Sequence, residues 1–269
     1  MAAIYQCREL NNREVIQACS TREQGNLALH TGDSPAQVLE RRARFLDLFG
    51  FELEELVIGN QTHGTRVGVV TREMAGSGAW DQKTAIPDTD ALITQERGIV
   101  LGIFTADCLP IFIYDQATPS VGIIHAGWRG TINRIVQITL EEMTAQFHTD
   151  PAHCLIGFGP GIGSECFQVE PKVAKQFFDV VPEAVNFAFE GIPGEAPVGG
   201  SGYRVDLEKF NTRLLQAAGV LERQIIPLQR CTRCHVDEFY SYRAEGGSAG
   251  RMMSIIALQK GAHASARSF

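Results

Sequence analysis

Three residues stand where polar chemistry interrupts apolar runs: His63 in NQTHGTRV, Cys108 in TADCLPIFIYD and His125 in SVGIIHAGWRGT. Imidazole and thiolate are the usual zinc ligands, and three protein ligands with one position left open is the catalytic rather than the structural pattern. An open metal position acidifies water and holds an anionic nucleophile. The spacings match no compact finger, so two other readings stay open. One is a cysteine nucleophile with His125 as its base. The other is a packed thiol with two hydrogen-bonded histidines.

Around this trio lie residues that could hold an anion or orient a ligand. Arg22, Arg129, Arg243 and Arg251 all fall in loop-like contexts, and a guanidinium fork is the natural partner of phosphate. Asp107 is either an acceptor that orients a ligand histidine or a turn residue. His125 precedes a helical pattern, RGTINRIVQITLEEMTAQF, whose N-terminal N–H groups favour an anion. The C-x-x-C-H at Cys231 to His235 matches covalent haem attachment and half of a zinc knuckle, but no second C-x-x-C completes four thiolates. Cys231 is therefore read as packing and Cys234 as incidental, while Cys7, Cys19, Cys154 and Cys166 read as small buried hydrophobes. GFGPGIG has neither G-x-G-x-x-G spacing nor G-K-[ST], so it reads as a tight turn.

The elements that must position these groups follow from periodicity. Val15 to Ser20 reads as a first strand, and SPAQVLERRARFLDLFG as a helix capped at Asp33 or Ser34 and stopped at Gly50. GIVLGIF, PIFIYD and SVGIIHA read as neighbouring strands of one sheet, placing Cys108 and His125 at two strand ends. HCLIGF, QIIPL and MMSIIAL read as further strands, EPKVAKQFFDVV and DLEKFNTRLLQAAGV as helices, GIPGEAPVGGSG as a surface loop and residues 259–269 as a tail. Strands and helices mix without strict βαβ alternation. The expected fold is α/β or α+β, a single compact domain over 1–269 with a mixed sheet flanked by helices.

Of 269 residues, 44% are hydrophobic and 20% charged, the composition of a globular protein with a substantial core. The net charge of −7, without a Lys/Arg cluster, argues against a nucleic-acid or anionic-membrane partner. The N-terminal stretch has no apolar core of a signal peptide, so the cytoplasm is the expected location. Seven cysteines, an odd number in that reducing setting, argue against a disulfide framework.

With NQTHGTRV, TADCLPIFIYD, IHAGWRGT, GPGIGSECFQV and CTRCHVDEFYSYR in their order, the chain resembles the YfiH-like, laccase-domain (polyphenol oxidase) family from about Val15 to Leu258. The resemblance implies an architecture related to cysteine hydrolases of the deamidase and necrotising-toxin type, and a zinc held by His63, Cys108 and His125. It implies purine nucleoside phosphorylase activity on adenosine, inosine and methylthioadenosine, with adenosine deaminase activity besides. Nucleoside and phosphate are then the partners, on a monomer or homodimer. Arg22 aligns with a family arginine and Asn26 with an asparagine, although STREQGNLALHTGD lacks the family's glycine pair. Phosphate would be held by Arg22, Asn26, Arg129 and Arg243, and Asp107 would give the proton to the purine. Some relatives are described as peptidoglycan editing factors, which keeps a Cys108/His125 hydrolase or amidase as the alternative. Copper is the second candidate ion, but a multicopper oxidase needs several H-x-H pairs, and seven isolated histidines supply none.

Overall fold

A computed structural model describes residues 4–183, 189–190 and 203–260; the expected loop over GIPGEAPVGGSG and nearly all of the expected tail lie outside them. The first strand, β1 (Val15–Cys19), is followed by helix α1 (Pro35–Asp47), with Pro35 at its first turn and Gly50 at φ +73° beyond its end. Short strands β2 (Leu56–Ile58), β3 (Val67–Val69) and β4 (Ala91–Thr94) lead into β5 (Val100–Thr105), β6 (Leu109–Asp115) and β7 (Ser120–Ala126). Helices α2 (Trp128–Ile132) and α3 (Ile135–Phe147) come next, then β8 (Cys154–Phe158), β9 (Gln168–Val169) and α4 (Pro171–Val180). The chain continues through β10 (Phe189–Glu190), β11 (Tyr203–Val205), α5 (Leu207–Ala217), β12 (Ile225–Ile226), α6 (Tyr242–Glu245) and β13 (Met252–Leu258).

The strands form two principal mixed sheets rather than the one expected. One has the order β1-β13-β5-β2 and the other β12-β8-β6-β7-β4-β3, with β10-β11-β9 as a small third sheet. GIVLGIF (β5) therefore pairs with β13 and β2, while PIFIYD and SVGIIHA (β6 and β7) pair with each other. Every residue of β5, β6, β7 and β13 is buried, because each sheet is covered on both faces.

Three apolar layers do the covering. Leu101, Ile103 and Ile256 of the first sheet meet Leu92, Phe112 and Ile123 of the second in a core between the sheets. The outer face of the six-stranded sheet, with Ile111, Ile113 and Ile124, packs on Val136, Leu140 and Met143 of α3 and Phe210 and Leu214 of α5. The outer face of the four-stranded sheet, with Leu56, Val100 and Ile255, packs on Phe45 and Leu46 of α1. The order is helix, sheet, sheet, helix, an α+β arrangement.

The helix expected over Arg129 to Phe147 is two. α2 ends at Asn133, Arg134 takes a left-handed φ of +62°, and α3 starts in a new direction. That break leaves only five residues in the helix next to His125, too short for the anion-holding N-terminus expected there.

Phe112 is fully buried between the two sheets. Phe112→Ala is expected to destabilise the protein by about 3–5 kcal/mol, read as a lower urea midpoint at unchanged slope.

Candidate metal centre and pocket

The hairpin of β6 and β7 brings the cysteine and the second histidine together. Its register pairs Leu109 with Ala126 and Pro110 with His125, so Cys108, one residue before β6, lies beside the exit of β7. β4 pairs with β7 on the other side, Ala91 against Ile124, which sets Asp90 next to His125; His125 N donates to Asp90 O at 2.8 Å. The turn before β3 delivers His63.

Asp90 holds this turn to the sheet. Its carboxylate is fully buried and accepts from the backbone N–H groups of Thr62 (3.0 Å), His63 (3.0 Å) and Gly64 (2.8 Å). It also accepts from His125 Nδ1 at 2.8 Å. Burial alone would raise its pKa, but the hydrogen bond and charge of His125 with the N–H groups of Thr62 and Gly64 outweigh that and hold it at about 2. The turn so fixed has His63 at φ +60°, a left-handed conformation that a side-chain-bearing residue keeps only when its surroundings impose it.

His63 Nε2 lies 3.8 Å from Cys108 Sγ, the two imidazole rings are 4.8 Å apart at 73°, and the three donor atoms all fall within 4.8 Å of one another. With Nδ1 of His125 taken by Asp90, Nε2 is the nitrogen left to the cluster. Tetrahedral zinc at its usual bond lengths separates a thiolate from an imidazole nitrogen by about 3.6 Å, so the trio fits such an ion with little adjustment. A carboxylate on the far nitrogen of a ligand histidine is the usual support. Gly127 leaves the space: a Cβ there would sit 2.9 Å from His63 Cδ2 and 3.1 Å from Cys108 Sγ.

The electrostatics favour an anionic sulfur. Burial raises the Cys108 pKa, but the charge and hydrogen bond of His125, followed by His63, bring it down to about 6. Burial lowers His125, and the Cys108 thiolate and Asp90 push it up to about 9. Cys7 and Cys154, by contrast, are pushed up, chiefly by burial, Cys7 to about 11.

The trio lines a cavity of about 840 Å³, within the range of small-molecule sites. Its other walls include the rings of Phe104, Trp128, Phe167 and Tyr242 and the guanidinium groups of Arg129, Arg243 and Arg251. Arg129 stacks on Trp128 at 4.4 Å, and Arg243 Nη1 donates to Cys166 O (3.2 Å) and Gln168 O (3.1 Å).

Other residues singled out in the sequence are held by partners of their own. Arg22 is not in the cavity lining; it pairs with Glu245 at 2.7 Å and lies over Tyr240. Asn26 is buried and spends its amide on Ala28 and the backbone N–H of Arg251. Asp107 lines the cavity but does not orient a ligand histidine. Its Oδ1 accepts from Thr232 Oγ1 and its Oδ2 from Arg243 N, both at 2.6 Å, which makes it a turn residue. The orienting carboxylate is Asp90, which sequence reasoning missed; the only signal was an acid directly before the apolar run ALIT. Arg42 was missed too: fully buried, lining the cavity, and donating to the carbonyls of Leu27, Gly78 and Ala79.

The family model described as multi-copper polyphenol oxidoreductase laccase matches residues 13–259. The chain belongs to this family. It is 32% identical to the purine nucleoside phosphorylase YlmD of Bacillus subtilis, over 93% of this chain and 91% of that one. It is 35% identical to the adenosine deaminase RL5 of an unknown prokaryotic organism, over 86% of each. The crystal structure of the hypothetical protein YfiH of Bacillus licheniformis superposes with a TM-score of 0.86 at 32% identity, covering 91% of this chain and 93% of that one.

Two outcomes are expected. Asp90→Asn should weaken metal retention or turnover by about 10–100-fold, measured by metal analysis after dialysis against graded chelator. In chelator-stripped protein, Cys108 should react with iodoacetamide with a midpoint near pH 6, because thiolate is lost only as pH falls through that value; peptide mapping would show Cys7 and Cys154 unlabelled at neutral pH.

Proposed function

We propose that the chain is a metal-dependent purine nucleoside phosphorylase that also deaminates adenosine, with zinc as the resident ion. The observation carrying this is the convergence of His63, Cys108 and His125 on the wall of a cavity roomy enough for a nucleoside and phosphate together, in a chain whose relatives bear those two enzyme names. Bound zinc supplies Lewis-acid charge stabilisation at an oxygen of the reacting group.

The chain's own residues do the rest. Arg129, Arg243 and Arg251 give the cationic forks that hold a phosphate dianion, with Arg243 pre-set by two backbone carbonyls. Phe104, Phe167 and Tyr242 offer ring faces to purine and ribose. In phosphorolysis of adenosine, inosine or methylthioadenosine, a phosphate oxygen bonds to C1′ as the bond to the purine nitrogen breaks. Fixed charges and positioning lower that barrier. In deamination the same cavity presents water to C6 of adenine and releases ammonia. Asp107, with both oxygens engaged, positions the Cys108 turn rather than giving a proton. Arg22 and Asn26 support the wall behind Arg251 rather than touching phosphate.

One observation favours a second reading. A thiol held near pKa 6 by an adjacent imidazole is also an activated nucleophile, as a cysteine hydrolase or amidase on peptidoglycan precursors requires; kinship with deamidase-type hydrolases belongs to that reading. The oxidase description attached to the family model has less support. Among the described residues, the metal-capable groups are this trio and one cysteine-rich cluster, not a set of paired histidines. Copper at the trio remains the second candidate ion. The protein is expected to work in the cytoplasm as a monomer or homodimer; no helix among the described residues is long and apolar enough to cross a membrane.

Adenosine turnover with and without phosphate, alongside metal analysis, tests the reading. Phosphate-dependent adenine release, lost with the metal in Cys108→Ala and on chelation, is the expected result. Activity that survives chelation but dies on alkylation moves the assignment to the hydrolase.

A further inference from the structure

The C-x-x-C of Cys231 and Cys234, incidental in sequence, finds its missing ligands in space. Glu165 and Cys166, in the turn between β8 and β9, bring one oxygen and one sulfur to the same point, and the four donor atoms all lie within 4.8 Å of one another. Cys166 Sγ is 3.4 Å from Cys234 Sγ, and Cys234 Sγ is 3.3 Å from Glu165 Oε1. Tetrahedral zinc sets two thiolate sulfurs about 3.8 Å apart and a thiolate and a carboxylate oxygen about 3.6 Å apart, so these two edges need only a few tenths of an ångström of expansion.

Hydrophobic packing accounts for Cys7, Cys19 and Cys154, and Cys166 and Cys231 also border the core, but packing does not account for Cys234 or for the convergence of the three sulfurs on a carboxylate. Cys234 is exposed, and its sulfur faces a carboxylate and another thiol rather than apolar side chains. The two loops are pre-set for each other: Gly161 N donates to Arg230 O at 3.3 Å and Thr232 N to Gly161 O at 2.9 Å, a parallel bridge directly beside Cys231. Gly163 leaves room for the carboxylate to fold back, since a Cβ there would lie 2.4 Å from Glu165 Oε2. The site opens to solvent through Cys234 and Glu165 and borders a hollow of about 280 Å³ lined by Glu165 and Cys231.

We propose that Glu165, Cys166, Cys231 and Cys234 form a second metal site for one zinc ion or a similar soft divalent cation, closed by four protein ligands and therefore structural. Binding releases the thiol protons to solvent. The ion's effect reaches the pocket through short links. Thr232, next to Cys231, donates to Asp107, next to Cys108, while Arg243 donates its backbone N–H to Asp107 and its guanidinium to Cys166 O. Clamping the two loops fixes the pocket wall that carries Arg243 and the turn that carries Cys108. This site does not depend on the nucleoside reading.

The test is metal analysis of reduced wild type, His63→Ala, Cys234→Ser and Glu165→Gln, with cobalt(II) titration of the stripped proteins. Cys234 and Glu165 are exposed, so their variants are expected to fold. About one equivalent of metal should vanish in Cys234→Ser and weaken in Glu165→Gln while persisting in His63→Ala. A thiolate-to-cobalt absorption band should persist in Cys108→Ala and disappear when Cys234→Ser is added, together with the chelator-induced fall in Tm. Unchanged metal content and cobalt spectrum in Cys234→Ser would overturn the proposal. So would a Cys166–Cys234 disulfide in metal-free Cys108→Ala protein purified without added oxidant, which would make the cluster a redox pair instead.

Discussion

The site depends on one buried carboxylate. An ion taken out of water costs several kcal/mol unless its hydrogen-bonding capacity is met, and Asp90 meets it with three successive backbone N–H groups and an imidazole. The same contacts that keep it charged determine where those donors lie. His63 adopts its left-handed backbone because the N–H groups on either side and its own are aimed at one anion. His125 presents Nε2 to the pocket because Nδ1 is engaged. Two histidines from segments far apart in sequence thus take their orientation from a single side chain.

The sheets convert that local constraint into a pocket. An antiparallel hairpin places residues near the entry of one strand beside those near the exit of the next, so the register of β6 against β7 by itself sets Cys108 next to His125. Asp90 joins from the entry of β4 on the other side of β7. All these groups therefore gather at one end of the six-stranded sheet, where strands give way to loops and polar groups can face a cavity without breaking a ladder. Further in, both faces of both sheets are covered by apolar layers, which keeps that end rigid.

The strands β1, β5 to β8, β12 and β13 were legible, while β2 to β4 and β9 to β11, each only two to four residues long, were not; His63, Cys108 and His125 stood out as candidates because polar and glycine-rich residues beside a buried strand mark an end. Sheet membership was not. β5 and β6 are equally apolar, since each is buried on both sides, and nothing in GIVLGIF records that it turns to β13 rather than to β6. The break at Asn133 and Arg134 was hidden for a similar reason: the apolar positions after it continue a helical pattern, and only the backbone shows the change of direction. Asp90 is one of two acids in the stretch PDTD, and nothing there distinguishes it from Asp88, because burial is not written in a single residue. Cys166 is 68 residues from Cys234, and long-range partners leave no trace in spacing.

The arrangement around Cys108 also bears on which chemistry it serves. A cysteine nucleophile needs one imidazole as its base and a third group to orient that imidazole, and His125 with Asp90 is sufficient for both. His63 is then superfluous. Yet it is held in a left-handed backbone conformation with Nε2 toward the sulfur, and Gly127 keeps open the space its ring occupies. A conformation of that kind persists where surrounding contacts impose it, and here the contacts come from the residue that also orients His125. A divalent ion would use all three donors, needs both imidazoles neutral with their lone pairs inward, and gains from the carboxylate behind one of them. Two oriented imidazoles and one acidified thiol answer the requirements of a metal site more completely than those of a catalytic dyad.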